Sequence, residues 1–191
     1  LLDASDDTQP LDTEACRSSW TTIQSLGTLA LSSGTATFNP TITGAYKNVR
    51  LRFDKPAPFA TYGCSTDNFA IRPASLTVVP GDLDWQTAGT TRILNNATAT
   101  GGNVHAAGRS FTLTATARNA ANNVVAGYDS TPSLLPGYLI LPSSIDCPSC
   151  SIGSFSPGTW SATTPSGTIR TSTATYADVG SFAFSLEDRT F

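Results

Sequence analysis

Short stretches in which apolar and polar residues alternate one by one recur along the chain. The clearest is 110–117, where one phenylalanine, one leucine and two alanines alternate with hydroxyl residues. Successive side chains of a β-strand point to opposite faces, so this pattern predicts a strand with one buried face. By the same reasoning, further strands are predicted at 28–31, 36–38, 76–79, 168–176 and 181–186, with Phe182, Phe184 and Leu186 on the buried face of the last.

One alternating stretch carries charge on its polar side. Val49, Leu51 and Phe53 share one face, and Arg50 and Arg52 share the other. Because arginine is mostly found in contact with water, the pattern predicts the apolar residues inside and both arginines outside.

Turn residues separate the predicted strands, and no window keeps a helical apolar period over three turns. Pro80-Gly81-Asp82 and Gly101-Gly102-Asn103 are two such predicted turns. Many short strands with frequent turns are typical of β-sandwiches. The fold class predicted is therefore all-β, with immunoglobulin-like β-sandwich modules, two of them in tandem.

The predicted boundary between the modules follows residue 68. Residues 1–68 are expected to form a short β-sandwich module, either complete or truncated, and residues 69–191 a fuller one. The stretch Phe69 to Ala74 is extended in character, since Pro73 biases Arg72 away from helix. Long Thr-, Asn- and Gly-rich stretches at 82–108 and 129–160 are expected to be loops that present contacts.

Composition narrows the setting in which such a protein works. Charged residues make up 13% of the chain, against about 25% in typical domains, and the net charge is −3. No basic stripe exists to capture nucleic acid, and no apolar run is long enough to insert into a membrane. The chain begins at Leu1 and contains no methionine, so we expect a piece of a longer, exported protein.

The four cysteines are Cys16, Cys64, Cys147 and Cys150. An even number on a Ser- and Thr-rich background indicates disulfides and an oxidising compartment. Of the three pairings, Cys16 with Cys64 and Cys147 with Cys150 keeps each bridge inside one module. A redox-active CxxC dithiol is disfavoured, because Cys147 to Cys150 lies in loop-like sequence rather than at the start of a helix.

Catalytic and metal-binding patterns are weak. The one histidine, His105, lies in a Gly- and Asn-rich stretch and is expected to be exposed, which disfavours both a zinc site and a Ser-His-Asp arrangement. Two acidic groups offer the oxygen ligands that calcium prefers, although solvated acidic loops are the simpler interpretation. They are Asp3, Asp6, Asp7 and Asp12, and the pair Asp82 and Asp84. No catalytic residue, no metal ligand set and no other cofactor is predicted.

Aromatic residues are the candidates for contact with a ligand. Core packing is the usual role of such side chains, but a row of exposed rings can stack on sugars. Trp85, between Asp84 and Gln86 in a loop-like stretch, is the best exposed candidate, with Tyr138 as a second. The others considered are Trp20, Tyr62, Tyr128 and Trp160.

Two stretches resemble a known family. Residues 64–73, Cys-Ser-Thr-Asp-Asn-Phe-Ala-Ile-Arg-Pro, and the preceding 45–52 resemble bacterial MshQ-like proteins, which are large exported proteins linked to mannose-sensitive haemagglutinin pili. Residues 107–122 and 176–188 resemble strands of bacterial immunoglobulin-like repeats. The resemblance implies a role at the cell envelope or in a type IV pilus system, and it supplies no catalytic motif.

The sequence thus favours a non-enzymatic structural or adhesive module of an exported bacterial envelope protein. Its expected partners are other envelope modules, pilus subunits or surface glycans. A carbohydrate-binding module of a secreted protein is the first alternative, and a hydrolase on a β-scaffold is the second.

Overall fold

The structure, a computed structural model, describes residues 1–3, 8–55, 57–58, 60–83, 91–94, 105–137, 153–163, 167–178 and 182–191, with backbone only at 83, 91, 92 and 163. Its regular secondary structure in these ranges consists of strands in antiparallel sheets, which confirms the all-β class. The chain divides into two compact units, which are Leu1–Pro73 with Phe191, and Ala74–Thr190.

The first unit is built around one long strand. That strand, β3, lies between β1 and β4 in the sheet order β2-β1-β3-β4, and β5 also pairs with β3. The division between the units therefore falls after Pro73, a little beyond the boundary expected from the sequence, because β5 belongs to the first sheet. The strands are β1 (Leu2–Asp3), β2 (Thr22–Gln24), β3 (Tyr46–Lys55), β4 (Thr61–Cys64) and β5 (Phe69–Ile71).

Both faces of β3 carry a buried side chain, whereas the alternation predicted one buried and one exposed face. Val49 is fully buried as predicted, but Phe53, on the same face, is 46% exposed. Arg50, predicted to lie in water, is buried, and its guanidinium donates hydrogen bonds to the carbonyls of Ala15 and Ser65. The prediction for Arg50 was wrong because a distant chain segment supplies those carbonyl groups and covers the polar face.

Between β2 and β3 the described chain forms no strand. The strands predicted at 28–31 and 36–38 are wrong, and Leu31 is 67% exposed. The one regular pairing in this stretch is an isolated bridge between Ser32 and Thr35. A strand needs a hydrogen-bonded neighbour, and local alternation does not provide one.

The second unit contains a larger sheet and a two-stranded one. The larger sheet has the order β10-β12-β8-β6-β7, with β11 also on β12, and β13 pairs with β9. A sandwich of sheets fits this arrangement. The strands are β6 (Ser75–Leu83), β7 (Thr91–Ile93), β8 (Phe111–Arg118), β9 (Ser133–Leu134), β10 (Phe155–Ser156), β11 (Ser161–Thr163), β12 (Thr168–Tyr176) and β13 (Leu186–Glu187).

The strongest sequence patterns of this unit became its central strands. Both β8 and β12 match the predicted stretches, and they pair with each other in the middle of the sheet. The predicted turn at Pro80-Gly81-Asp82 is wrong, because these residues continue β6. Proline is tolerated at this position because its backbone faces the end of β7, beyond the last paired residues. There the Pro80 carbonyl accepts a hydrogen bond from the Leu94 N–H, and no N–H of its own is needed.

An aromatic core covers the larger sheet on one face. Phe111 and Leu113 from β8 and Ala174 and Tyr176 from β12 form its buried centre. Tyr176 stacks on Phe182 with 3.9 Å between ring centroids, and Phe155 lies 4.5 Å from Phe184. The predicted inward positions of Phe182 and Phe184 are confirmed, although residues 182–185 pack as irregular chain with one bridge residue rather than as a strand. The packed core partners are Val78, Leu94, Phe155, Trp160, Phe182 and Phe184.

Candidate functional site

A disulfide ties the N-terminal segment of the first unit to its sheet. Cys16 bonds to Cys64, with 5.1 Å between their Cα atoms and a sequence separation of 48 residues. This is the pairing that the sequence favoured. Cys64 closes β4, so the bridge holds the chain around Cys16 against the face that Arg50 and Arg52 share. Cys147 and Cys150 lie outside the described residues.

A buried ion pair lies beneath the same segment. Arg17 contacts Asp3 at 3.0 Å, and both side chains are fully shielded from solvent. Arg17 also donates to the side-chain oxygen of Asn68 at 3.1 Å, and the backbone N–H of Thr21 donates to Asp3. Asp3 was expected in a solvated acidic loop, and its burial corrects that expectation. Its charge is balanced by an arginine that only the folded chain brings near.

The exposed end of this face carries a cation–aromatic stack. The guanidinium carbon of Arg52 lies 4.4 Å from the Tyr62 ring centroid and 5.9 Å from that of Trp20. In the β3–β4 register Arg52 is opposite Cys64 and Asp54 is opposite Tyr62, so these four side chains share one face. Tyr62 is 40% exposed, whereas Trp20 is partly buried.

Hydrogen bonds fix the orientation of the stack. The Tyr62 hydroxyl donates to Asp12 Oδ2 at 3.0 Å, and Arg52 Nε donates to Asp54 Oδ1 at 2.7 Å. The other Asp12 oxygen accepts from the backbone N–H groups of Cys16 and Glu14. We call Trp20, Arg52, Tyr62, Asp12 and Asp54 the stacked surface.

Within the stacked surface, Asp12 is deprotonated and Tyr62 keeps its proton. The backbone hydrogen bond from Cys16, aided by the Tyr62 hydroxyl, lowers the pKa of Asp12 below its ordinary value. The hydrogen bond to Asp12, together with the negative charge of that carboxylate, raises the pKa of Tyr62. Asp12 is therefore an anion and Tyr62 a neutral donor throughout the neutral range.

The stacked surface keeps unused hydrogen-bonding capacity. Within the part of the chain that the structure describes, Arg52 Nη1 and Nη2 and Asp54 Oδ2 have no hydrogen-bond partner. The Asp54 side chain is 38% exposed and that of Arg52 is 28% exposed. Two planar donors and one anionic acceptor thus lie beside an exposed aromatic ring, an arrangement suited to a polar ligand with ring-like apolar faces.

The second unit contains the one described histidine, in a setting that differs from the prediction. His105 was expected to be exposed, but its side chain is 13% exposed and its Nδ1 lies 3.2 Å from Asp82 Oδ1. Asp82 is fully buried rather than part of a solvated turn. The ring of His105 also packs edge-on against Phe111 at 5.5 Å.

This pair supplies the carboxylate and the imidazole of a catalytic triad, but a backbone carbonyl occupies the position that the triad hydroxyl would need. A triad needs a hydroxyl at the imidazole nitrogen that does not face the carboxylate. Here His105 Nε2 lies 3.0 Å from the carbonyl oxygen of Arg109, which can only accept a hydrogen bond. That nitrogen therefore faces a backbone carbonyl and not the hydroxyl that a triad requires.

A tyrosine–carboxylate contact fastens the C-terminal segment of the second unit. The Tyr128 hydroxyl donates to Asp188 Oδ2 at 2.7 Å. Burial, with help from the hydrogen bond to Asp188, raises the pKa of Tyr128. Burial would raise the pKa of Asp188 too, but hydrogen bonds from Thr190, Tyr128 and Ser130 outweigh it and lower that pKa. The contact is structural, since Tyr128 is 3% exposed.

Only some of the aromatic residues considered from the sequence lie within the described part of the chain. Trp85 and Tyr138 lie outside the described residues, as do Asp6, Asp7 and Asp84. Among those described, Trp160 and Tyr128 are core residues, and Trp20 and Tyr62 are brought together around Arg52. Arg52 was not proposed from the sequence. The signal that could have identified Arg52 was its place on the polar face of β3, because this face also carries the side chain of the disulfide-bonded Cys64 from β4.

The described residues offer neither a membrane-spanning helix nor a metal-binding cluster. They include no helix with the length and apolar character needed to cross a membrane, and none of their His, Cys, Asp and Glu side chains form a group of three or more suited to a metal ion. The described acidic residues Asp3, Asp12 and Asp82 are instead engaged by protein groups.

No protein-family model, no curated protein and no solved structure matches the chain.

Proposed function

We propose that this chain is a non-enzymatic structural or adhesive module of an exported bacterial envelope protein, with immunoglobulin-like sandwich modules and an association with a type IV pilus system. Its mechanism is the rigid presentation of surface groups rather than chemistry on a substrate. The observation that carries the proposal is the Cys16–Cys64 disulfide, which holds a polar segment over a small sheet.

The disulfide supports an exported location on physical grounds. Disulfides persist in oxidising compartments and are rare in the reducing cytosol. The interior of the first unit contains two buried arginines and one buried aspartate beside the apolar Leu2, Ala45 and Val49, and buried charges stabilise a fold less than apolar groups do. A unit of this kind gains much of its stability from the cross-link, so it suits a compartment in which the cross-link survives.

The residues that resemble MshQ-like proteins coincide with this network. Cys64 forms the disulfide, the Ser65 side chain accepts from the Leu51 N–H, and Asn68 accepts from Arg17. The resemblance therefore falls on side chains with a structural task in this chain, which supports its relevance to the fold of the first unit.

The hydrolase alternative finds less support. Its best candidate, the Asp82–His105 pair, has its second imidazole nitrogen occupied by the Arg109 carbonyl. The carbohydrate-binding alternative is compatible with the adhesive role, and the stacked surface is the feature that favours it.

The location can be tested on source cells. Antibodies raised against the chain are expected to label intact cells without permeabilisation. Non-reducing mass spectrometry of the envelope fraction is expected to link the peptides that contain Cys16 and Cys64. Labelling only after permeabilisation, or free thiols at both positions, would contradict the proposal.

A further inference from the structure

We propose that the stacked surface is a binding site for a neutral saccharide. The inference rests on the proposed role of the chain as a surface-displayed module and names the ligand class that it would contact. Trp20, Arg52 and Tyr62 form a stack whose tyrosine ring is 40% exposed, with Asp54 beside it. Sugar rings present apolar C–H faces to aromatic rings and hydroxyl groups at their edges.

The site is built before any ligand arrives. Tyr62 is oriented by Asp12, and Arg52 is oriented by Asp54. Asp12 is in turn held by the N–H of Cys16, whose disulfide fixes it to the strand that carries Tyr62. Such preorganisation lowers the entropy cost of binding, which is what a weakly binding, small polar ligand requires.

The unused groups match hydroxyls. Arg52 Nη1 and Nη2 are donors, and Asp54 Oδ2 is an acceptor, with no partners among the described residues. A hydroxyl both accepts and donates, so two neighbouring hydroxyls of one sugar ring can use all three atoms. An apolar peptide would leave these charged groups desolvated and unpaired.

The charge of the surroundings selects for a neutral ligand. The Arg52 guanidinium lies beside the carboxylate of Asp54 and interacts electrostatically with that of Asp12, and the charge of Glu14 acts on the Tyr62 hydroxyl. An acidic sugar would have to approach these carboxylates and compete with Asp54 for Arg52. A neutral saccharide meets neither obstacle.

The test uses the full chain and defined probes. The neutral probes are lactose, maltotriose and N,N′-diacetylchitobiose, and the acidic probes are 3′-sialyllactose and trigalacturonate. Nuclear magnetic resonance titration is expected to give a dissociation constant of order 1 mM or tighter for at least one neutral probe, with shifts at Tyr62 and Arg52. Acidic probes are expected to bind at least about tenfold more weakly, which corresponds to about 1.4 kcal/mol.

Three variants locate the site. Tyr62→Ala is expected to weaken binding by at least about tenfold, and Arg52→Gln by a similar factor, because they remove the ring and the paired donors. Phe53→Ala is the matched control. Phe53 follows Arg52 in β3 but lies on the opposite face of the sheet, and its exposure is similar to that of Tyr62, so this variant should bind as the wild type does. Calorimetry confirms that each variant retains the folded first unit, and Arg52→Gln serves if Tyr62→Ala unfolds.

Several results would overturn the inference. One is the absence of binding by every neutral probe at about 10 mM. Another is tighter binding of the acidic probes, and a third is an unchanged affinity in both Tyr62→Ala and Arg52→Gln. None of these results bears on surface display, because antibody labelling of intact cells judges that proposal separately.

Discussion

The two units of this chain reach a buried interior by different means. In the second unit, β8 and β12 bury phenylalanine, leucine, alanine and tyrosine beneath a layer of further aromatic rings. In the first unit the buried side chains include those of Asp3, Arg17 and Arg50, and a disulfide holds the segment around Cys16 over them. The comparison indicates that a small sheet with one charged face can still be enclosed if a cross-link holds a polar segment over it.

The difference has a thermodynamic basis. Apolar burial stabilises by roughly 25 cal/mol per Å² removed from water, so the aromatic core carries its own driving force. Charged groups lose hydration when they are buried, and pairing does little more than offset that loss. We therefore expect the first unit to depend on its covalent bridge and the second to depend on side-chain packing.

The largest expected effect follows removal of the disulfide. Replacing Cys16 and Cys64 with serine should lower the free energy of unfolding of the first unit by about 4 kcal/mol, because the unfolded chain regains a loop of roughly fifty residues. Hydrogen exchange measured by mass spectrometry should show lost protection in β3 and unchanged protection in β8. Equal loss in both units would break the comparison.

The matched test in the second unit removes a core leucine. Leu113 is fully buried in β8, so Leu113→Ala should cost about 3.5 kcal/mol through lost contacts and a cavity. Scanning calorimetry is expected to move the transition of the second unit alone. Val124→Ala is the control, because Val124 is 46% exposed and its truncation should change the free energy of unfolding by under about 0.5 kcal/mol.

Breaking the buried ion pair tests the polar interior of the first unit. Asp3→Asn leaves Arg17 buried without its counter-charge and should cost about 3 kcal/mol. Adding Arg17→Met to that variant should restore part of the loss, since the uncompensated charge is then gone. Denaturant titration of the single and double variants measures this. A double variant that is less stable than Asp3→Asn would contradict this, because Arg17 would then stabilise the unit without its counter-charge.

A smaller effect is expected at the tyrosine contact of the second unit. Tyr128→Phe removes the hydrogen bond to Asp188 and should cost about 1 to 2 kcal/mol, the value of a hydrogen bond to a charged group discounted for partial solvent screening. The shift in the thermal midpoint of the second unit reports it. An unchanged midpoint would mean that water replaces the hydroxyl without loss.

The smallest effect is a pH dependence of the same contact. The folded-state pKa of Asp188 lies below its ordinary value of 3.8, so its contribution is fully present above that value and is lost as the pH falls through the lower folded value. Acid should therefore destabilise the second unit at pH values below about 4. Asp188→Asn should flatten this part of the profile of the second unit, and an identical profile in the variant would contradict the assignment.

Much of the second unit could be predicted because its main strands have one apolar and one polar face. The alternation in β8 can be read from neighbouring residues alone. In the structure β8 lies in the middle of the sheet, with β6 on one side and β12 on the other, so its backbone is hydrogen-bonded along both edges. The stretch around Leu31 has the same kind of alternation but no described sheet partner, so its predicted strand does not form. Local pattern and long-range pairing agree only where a neighbouring strand is supplied.

The candidate site was less predictable. Tyr62 and Trp20 were visible as aromatic residues, but Arg52, which joins them, was assigned only to an outward face. Asp12 appeared as one of several acids, and nothing local indicated that its oxygens would accept from Cys16 and Tyr62. These contacts depend on where the disulfide places the N-terminal segment.

By itself, the sequence determined the strand periodicity, the all-β class and the fact that Arg50 and Arg52 share one face of β3. Only the tertiary structure decided that Arg50 is buried beneath the Cys16 segment while Arg52 remains at the edge against Tyr62. The physical reason is that the direction of a side chain follows from local backbone geometry, whereas its burial depends on which distant segment comes to cover it.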